Sequence, residues 1–284
     1  MKPITNIPIA KLRAFEGHPY KVLDDEEMNA LIDSIQENGI LTPLLVRPLE
    51  GTTDEYEVIS GHRRLHAAQK AGLETVPAFI HAIDRDAASI LLVDSNLHRE
   101  HILPSEKAVA YKLKRDALAH QGSASPQVGE KILTVERVGL ESGDSKNQVL
   151  RYIRLTHLGP KLLDLVDQGR IAFSVGVELS YLGESAQEYL AELIDRDEAT
   201  PSYSQAVRMH RENGQGFEPI SFKRIAEIMA EEKPNQREQI RLRRDEFSKY
   251  FPSEYSDRQI RDDIIAGLDL LRRQRIRERN RDAR

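Results

Sequence analysis

The spacing of apolar residues changes repeatedly along the first hundred positions. Ile4, Ile7, Ile9 and Leu12 suit a short strand over 4–12. Met28, Leu31, Ile32 and Ile35 then recur at helical spacing, with Asp24 and Asp25 favouring a helix start and Asn38-Gly39 a stop. Leu44–Arg47, Tyr56–Ile59 and Val76–Ile80 are strand-like runs, the first two separated by the polar turn Gly51–Glu55. Gly61 opens a helix to Ala71 that Gly72 closes, and Ala87–Leu97 reads as another. This alternation predicts an α+β domain over residues 1–103.

From Pro104, well placed at a helix start, the pattern turns helical. A first helix runs to about His120, and Gln121–Glu130 has loop composition. Helices follow near 134–141, 145–157, 160–168, 174–182 and 184–196, giving an all-α domain over 104–199. Residues 200–216 read as a linker with a short helical piece. A helical C-terminal region, 217–284, holds a helix at 221–232, the segment Phe247–Tyr255 and a long helix from Ser256.

Charge narrows the function classes. The net charge of −5 argues against a simple nucleic-acid coat. Residues 1–103 carry 10 basic against 16 acidic side chains, while residues 104–182 carry 11 against 9. Seven arginines fall between Arg272 and Arg284. DNA binding must therefore rest on local patches. The chain has no cysteine, which removes disulfides, thiolate metal sites and thiol catalysis. No apolar run approaches the ~20 residues of a membrane span, and MKPITNIPIAKLRAF lacks a signal peptide's apolar stretch. A cytoplasmic protein with no membrane partner is expected.

Two local patterns carry chemistry. Tyr56–Ser60, Gly61, His62, Arg63 and Arg64 join a strand to a helix through glycine. Helix N-terminal N–H groups attract anions, glycine admits a phosphate, and arginine forks suit its oxygens. The bland reading is a strand–helix turn with solvated arginines. His62 and His66 are one helical turn apart but lack the intervening glutamate of a zinc-protease motif, so no zinc site is expected. The second pattern centres on Gly143. Val138 and the small Gly139 precede it by five and four residues, and Val149 and Tyr152 follow by six and nine. A helix-turn-helix needs apolar, small, positive-φ and apolar residues in that order. Ser145, Lys146, Asn147, Gln148 and Arg151 then begin a recognition helix able to meet base edges. Arg154 and His157, farther along, suit phosphates. The alternative there is an ordinary solvated amphipathic helix.

Three ordered segments place these patterns in context: Gly39–Arg47 (GILTPLLVR), Gly61–Arg64 (GHRR) and Asp94–Glu100 (DSNLHRE). With Ala67-Ala68, Ala71-Gly72-Leu73 and Leu103–Ala108, they resemble the ParB family over about residues 4–182. The resemblance implies a ParB/sulfiredoxin-like N-terminal domain switched by CTP and a divalent cation, followed by the helix-turn-helix. It places Gly61, His62, Arg63 and Arg64 at the phosphates and Thr42 at the family's glutamine position beside the nucleotide. Asn96 stands at a phosphate or Mg2+ contact, and Arg99 at the box's basic position. His62, Ser95 and His98 depart from the family's two glutamates and one glutamine. The first two departures remove carboxylates that could hold a hard cation, so slow hydrolysis is expected.

The resemblance further implies a homodimer on a pseudo-palindromic site in double-stranded DNA, nucleoid- or plasmid-associated, with a ParA-type ATPase as a possible partner. Ile260, Ile264, Ile265, Leu268 and Leu271 could form its dimerisation stripe, and the arginine run a frayed tail or a non-specific DNA contact. A second function class is a helix-turn-helix regulator on a plasmid or mobile element with a degenerate nucleotide site. Enzymes rank lower: sulfiredoxin chemistry needs a cysteine, and no carboxylate cluster suits two-metal nuclease cleavage.

Overall fold

The computed structural model describes residues 3–97, 99, 101–122, 128–214, 219–231, 250–251 and 255–282. These fall into two compact units, Met1–Glu231 and Glu232–Arg284.

The first unit opens with β1 (Ile4–Pro8), a 3-10 turn (Ile9–Lys11) and β2 (Leu12–Ala14). There follow α1 (Glu26–Asn38), β3 (Leu44–Pro48), β4 (Tyr56–Ser60), α2 (His62–Lys70), β5 (Thr75–Ile80) and α3 (Arg85–Asp94). Every predicted strand and helix of this domain is present, but the single strand expected over 4–12 is broken. Its two halves lie at opposite edges of a five-stranded mixed sheet ordered β1-β5-β3-β4-β2. The chain from Pro8 to Leu12 spans at most about 14 Å, so the sheet must curl to bring its edges together. Pro8, with no N–H to donate, is a natural end for β1.

Alternate residues of β4 serve opposite faces, as a pleated strand requires. Val58 packs with Leu44, Leu65 and Val76, and Ile59 with Phe15, Leu92 and Val93. On α1, Asp25 accepts a hydrogen bond from the Met28 N–H at 2.8 Å, and Gly39 ends the helix at φ 66°.

The helices continue as α4 (Pro104–Gly122), α5 (Val128–Ser142), α6 (Lys146–Leu155), α7 (Pro160–Asp167), α8 (Phe173–Leu179) and α9 (Glu184–Asp197). Then come α10 (Tyr203–Gly214) and α11 (Phe222–Ala230). The loop expected over 121–130 instead carries the ends of α4 and α5, with residues 123–127 outside the described ones. Residues 200–216, expected as a linker, carry α10. Its Ala206 and Met209 are fully buried in one core with Leu190, Ile194, Ile225 and Ile228. Its polar majority hid that short apolar seam. Helix α4 serves several cores, placing Ala110 against α3 and Tyr111 against α5 and α6.

In the second unit α12 (Asp257–Asp282) is one long helix on which Ile265, Leu268 and Leu271 are exposed. Most of Phe247–Tyr255, Arg284 and the side chains of the last helical turns lie outside the described residues. Among the described residues, no helix is long and apolar enough to cross a membrane.

Candidate functional site

Strand β4 delivers Ser60 to Gly61, whose φ of 104° is left-handed and caps α2 without a side chain. A methyl group there would stand 3.0 Å from Leu44 Cγ and 3.2 Å from Arg64 Nη2, so glycine is required twice over. Around this turn lies a pocket of about 110 Å3. Gly61, His62, Arg63 and Arg64 line it from α2, Asn96 and Arg99 from the turn after α3, and His18, Tyr20 and Lys21 from the segment before α1. Thr42 does not line it; its carbonyl accepts from Arg64 Nη1, which also donates to the Pro43 carbonyl at 2.9 Å. Arg63 is shared with Glu27 at 3.2 Å and Asp25 at 3.5 Å. The Asn96 amide donates to the Leu92 carbonyl at 2.7 Å and to Ser95 Oγ at 3.1 Å.

The rings of His18 and His62 lie 3.6 Å apart between centroids. Burial, then the His18 and Arg99 charges, lowers His62 to about 3, so it stays neutral. His62 Nε2 and the Tyr20 hydroxyl are buried without a hydrogen-bond partner. The unfolded chain protonates His62 near 6.5 and the folded chain only near about 3. Its contribution to stability is therefore complete above the first value and is lost as pH falls toward the second. His62→Asn should flatten the acid limb of a melting-temperature profile over that window. Superimposable limbs would show that His62 is not held neutral.

The helix-turn-helix lies in α5 and α6. Gly143 has φ 74°, and the Asp144 N–H donates back to the Gly139 carbonyl at 3.0 Å. This is a glycine-terminated helix end. Val138 and Val149 are fully buried beside Tyr111. Lys107 at 2.8 Å and the Tyr111 hydroxyl at 2.6 Å pin the Asp144 carboxylate from α4. Ser145 caps α6, accepting from the Gln148 N–H at 3.2 Å, which commits its hydroxyl to the helix. Asn147 is exposed, Gln148 half-buried, and Lys146 paired with Glu136 at 2.9 Å. The Arg151 guanidinium lies over the Phe173 ring at 5.1 Å.

Arg154 is more heavily used than its sequence position suggests. It donates to the Ser180 carbonyl at 2.6 Å and to Ser180 Oγ at 3.1 Å, and lies over Tyr181 at 3.9 Å. It thereby ties α6 to the end of α8. Burial, followed by the positive charges of Arg154, Lys112 and Arg115, lowers His157 from its ordinary value. Lys112, Arg115 and Arg154 thus lie near His157 at the end of α6, with Arg115 paired to Asp116 at 2.5 Å. A larger open cavity, about 770 Å3 and lined by Arg154, His157, Lys161, Glu188 and Glu192, lies away from Gly61 and its arginines.

A family model described as "ParB N-terminal domain" matches residues 1–97. Over those residues the chain is similar to a ParB N-terminal domain. It is 37% identical over 169 residues to the chromosome-partitioning protein Spo0J of Thermus thermophilus, covering 59% of this chain and 56% of that protein. The chain thus spans little more than half the length of that curated relative. Two structures of C-terminally truncated ParB from Caulobacter crescentus are also similar. One, complexed to the centromeric parS site, is 24% identical over 73% of this chain and 99% of its own, with a TM-score of 0.41. The other, complexed with CTP-γ-S, is 26% identical over 68% and 99%, with a TM-score of 0.32.

Six of the seven residues assigned from sequence line one pocket, and Thr42 lies outside it, touching Arg64 through its carbonyl. His18, Tyr20 and Lys21 escaped sequence reading because they lie in an irregular segment with no periodic pattern. Lys112 and Arg115 were hidden on α4, where a basic pair at helical spacing was their only signal. The orphaned Tyr20 hydroxyl and His62 Nε2 suit an anionic, oxygen-rich ligand such as a nucleotide's phosphates. A divalent cation fits less well: no carboxylate among the described residues lines the pocket. Among the described residues, no three His, Cys, Asp or Glu side chains cluster to hold a metal.

Proposed function

We propose that this chain is a partition-type DNA-binding protein of a chromosome or plasmid, whose N-terminal domain binds a nucleotide, CTP by family resemblance, and acts as its switch. It reads double-stranded DNA as a homodimer on a pseudo-palindromic site. A ParA-type ATPase partner belongs to the same proposal. What supports it is the convergence of Gly61, Arg63, Arg64, Asn96 and Arg99 on one pocket, in the same compact unit as a fully formed helix-turn-helix. The pocket takes phosphates through a glycine-lined helix start and guanidinium donors. The exposed start of α6 meets bases, and Lys112 and Arg154 beside it meet backbone phosphates.

Thermal-shift titration with CTP, ATP, GTP and UTP tests the nucleotide, and fluorescence anisotropy on DNA selected from genomic fragments tests the site. Stabilisation by CTP above the other three is expected. If no nucleotide stabilises the chain while selected DNA still binds, it is a helix-turn-helix regulator with a degenerate pocket.

The recognition helix makes a sharper prediction. Gln148→Ala should cost about 1–3 kcal/mol on the selected site and little on random DNA. Arg154→Ala should lower the melting temperature, because it releases α6 from Ser180 and Tyr181, and weaken both DNAs together. Lys112→Ala should leave melting unchanged and lower the salt slope by about one. Equal loss on both DNAs for Gln148→Ala would make the helix a backbone anchor.

A further inference from the structure

The family's nucleotide switch implies a divalent cation, yet two positions where the family has carboxylates hold His62 and Ser95, and no carboxylate among the described residues lines the pocket. Four cationic side chains do: Lys21, Arg63, Arg64 and Arg99. They differ in how far they are already neutralised. Arg63 faces Glu27 and Asp25, and Lys21 faces Asp167 at 3.3 Å and Asp164 at 3.6 Å. Arg64 is half-buried and spends its Nη1 on the neutral carbonyls of Thr42 and Pro43, leaving its charge uncompensated by those contacts. The Arg99 guanidinium lies over the Tyr20 ring at 5.4 Å, beside the orphaned hydroxyl.

Tyr20 is 5% exposed, and a buried hydroxyl without a partner destabilises the fold until something pairs with it. His62 Nε2 is a second orphan in the same pocket. Two unpaired polar atoms beside the Arg64 and Arg99 guanidinium groups suit this place to anionic oxygens. At about 110 Å3 the pocket has room for phosphate groups rather than a whole nucleotide.

We propose that this pocket binds the nucleotide's phosphates without a divalent metal, Arg64 and Arg99 supplying the charge that a cation supplies elsewhere, with Tyr20 as a donor. The inference rests on the nucleotide reading above. Guanidinium groups are always charged and present fixed donor forks, so they can neutralise phosphate oxygens directly. A metal held by phosphates and the Asn96 amide oxygen alone would add a third positive centre close to two arginines, which repel it.

Calorimetric titration of the full chain with CTP, in EDTA and in magnesium, tests this. The dissociation constant should agree within about twofold in the two media, because no carboxylate among the described lining residues gains from the metal. Arg99→Ala should weaken binding about tenfold or more in EDTA, as expected for a lost charge-assisted contact, with an unchanged melting profile. Inorganic tripolyphosphate should compete with CTP in EDTA. Binding that appears only with magnesium would overturn the inference and leave the nucleotide reading standing, as would failure of tripolyphosphate to compete. Binding of no nucleotide in either medium would remove both.

Discussion

Glu57→Ala is expected to cost about 3–5 kcal/mol, which is much of the ~5–15 kcal/mol that holds a typical domain together. Glu57 and Arg47 are each only 3% exposed, and their side chains meet at 2.7 Å across β3 and β4. The other Glu57 oxygen accepts from the Glu16 N–H at 3.1 Å, joining the segment after β2 to the same carboxylate. Removing Glu57 strands a buried guanidinium whose remaining acidic partner, Glu50 at 3.0 Å, lies in solvent. It also orphans the Glu16 N–H. Replacing both partners, Arg47→Met with Glu57→Leu, should restore most of the loss, because neither a buried charge nor its desolvation then remains. Urea unfolding of the three variants decides this. Were Glu57→Ala to cost under about 1 kcal/mol, the pair would behave like a surface ion pair. The same strand ends at Ser60 and Gly61, so nucleotide affinity should fall with Glu57→Ala and return in the double variant.

The pair also shows where sequence reading stops. Apolar spacing made the strand Tyr56–Ile59 legible, and its parity places Val58 and Ile59 in cores on opposite faces. A buried Arg–Glu pair carries no such signal, since each residue taken singly reads as a solvated charge. The pocket divides in the same way. Gly61, Arg63 and Arg64 were legible because strand, glycine and helix start come in sequence. His18, Tyr20 and Lys21 reach the pocket only through tertiary folding of an irregular segment. Arg154 is the converse case: helical spacing put it on a plausible DNA-facing turn, but the acceptors that hold it, on Ser180, are supplied by a later helix. Residues 200–216, expected as a linker with a short helical piece, carry the longer α10 over Tyr203–Gly214, whose Ala206 and Met209 are seated in a core.

Gly139→Ala should combine a moderate stability loss with a larger loss of DNA binding. Gly139 lies in α5 where the start of α6 crosses it. A methyl group there would stand 2.6 Å from the Asp144 carbonyl oxygen and 3.5 Å from the Lys146 backbone nitrogen. The nearer neighbour is backbone, and its side chain is pinned by Lys107 and Tyr111 from α4, so it cannot swing aside as a flexible side chain would. Relief must come from shifting the turn and the first residues of α6 together. Overpacking of this kind costs about 1–3 kcal/mol. The displaced residues are Ser145 to Gln148, those expected to meet base edges, where small misplacement removes directional hydrogen bonds. Gly143→Ala separates geometry from stability. Its glycine has φ 74° but open space around a would-be Cβ, so alanine there should cost about 1–2 kcal/mol of backbone strain without moving α6. Both variants would be compared by chemical denaturation and by anisotropy on selected DNA, at a temperature where each is fully folded. Gly139→Ala should then lose discrimination between selected and random DNA while Gly143→Ala keeps it. If folded Gly139→Ala discriminates as well as the unmodified chain, the crossing of α5 and α6 does not set the reading geometry, and base recognition lies elsewhere on the helical domain.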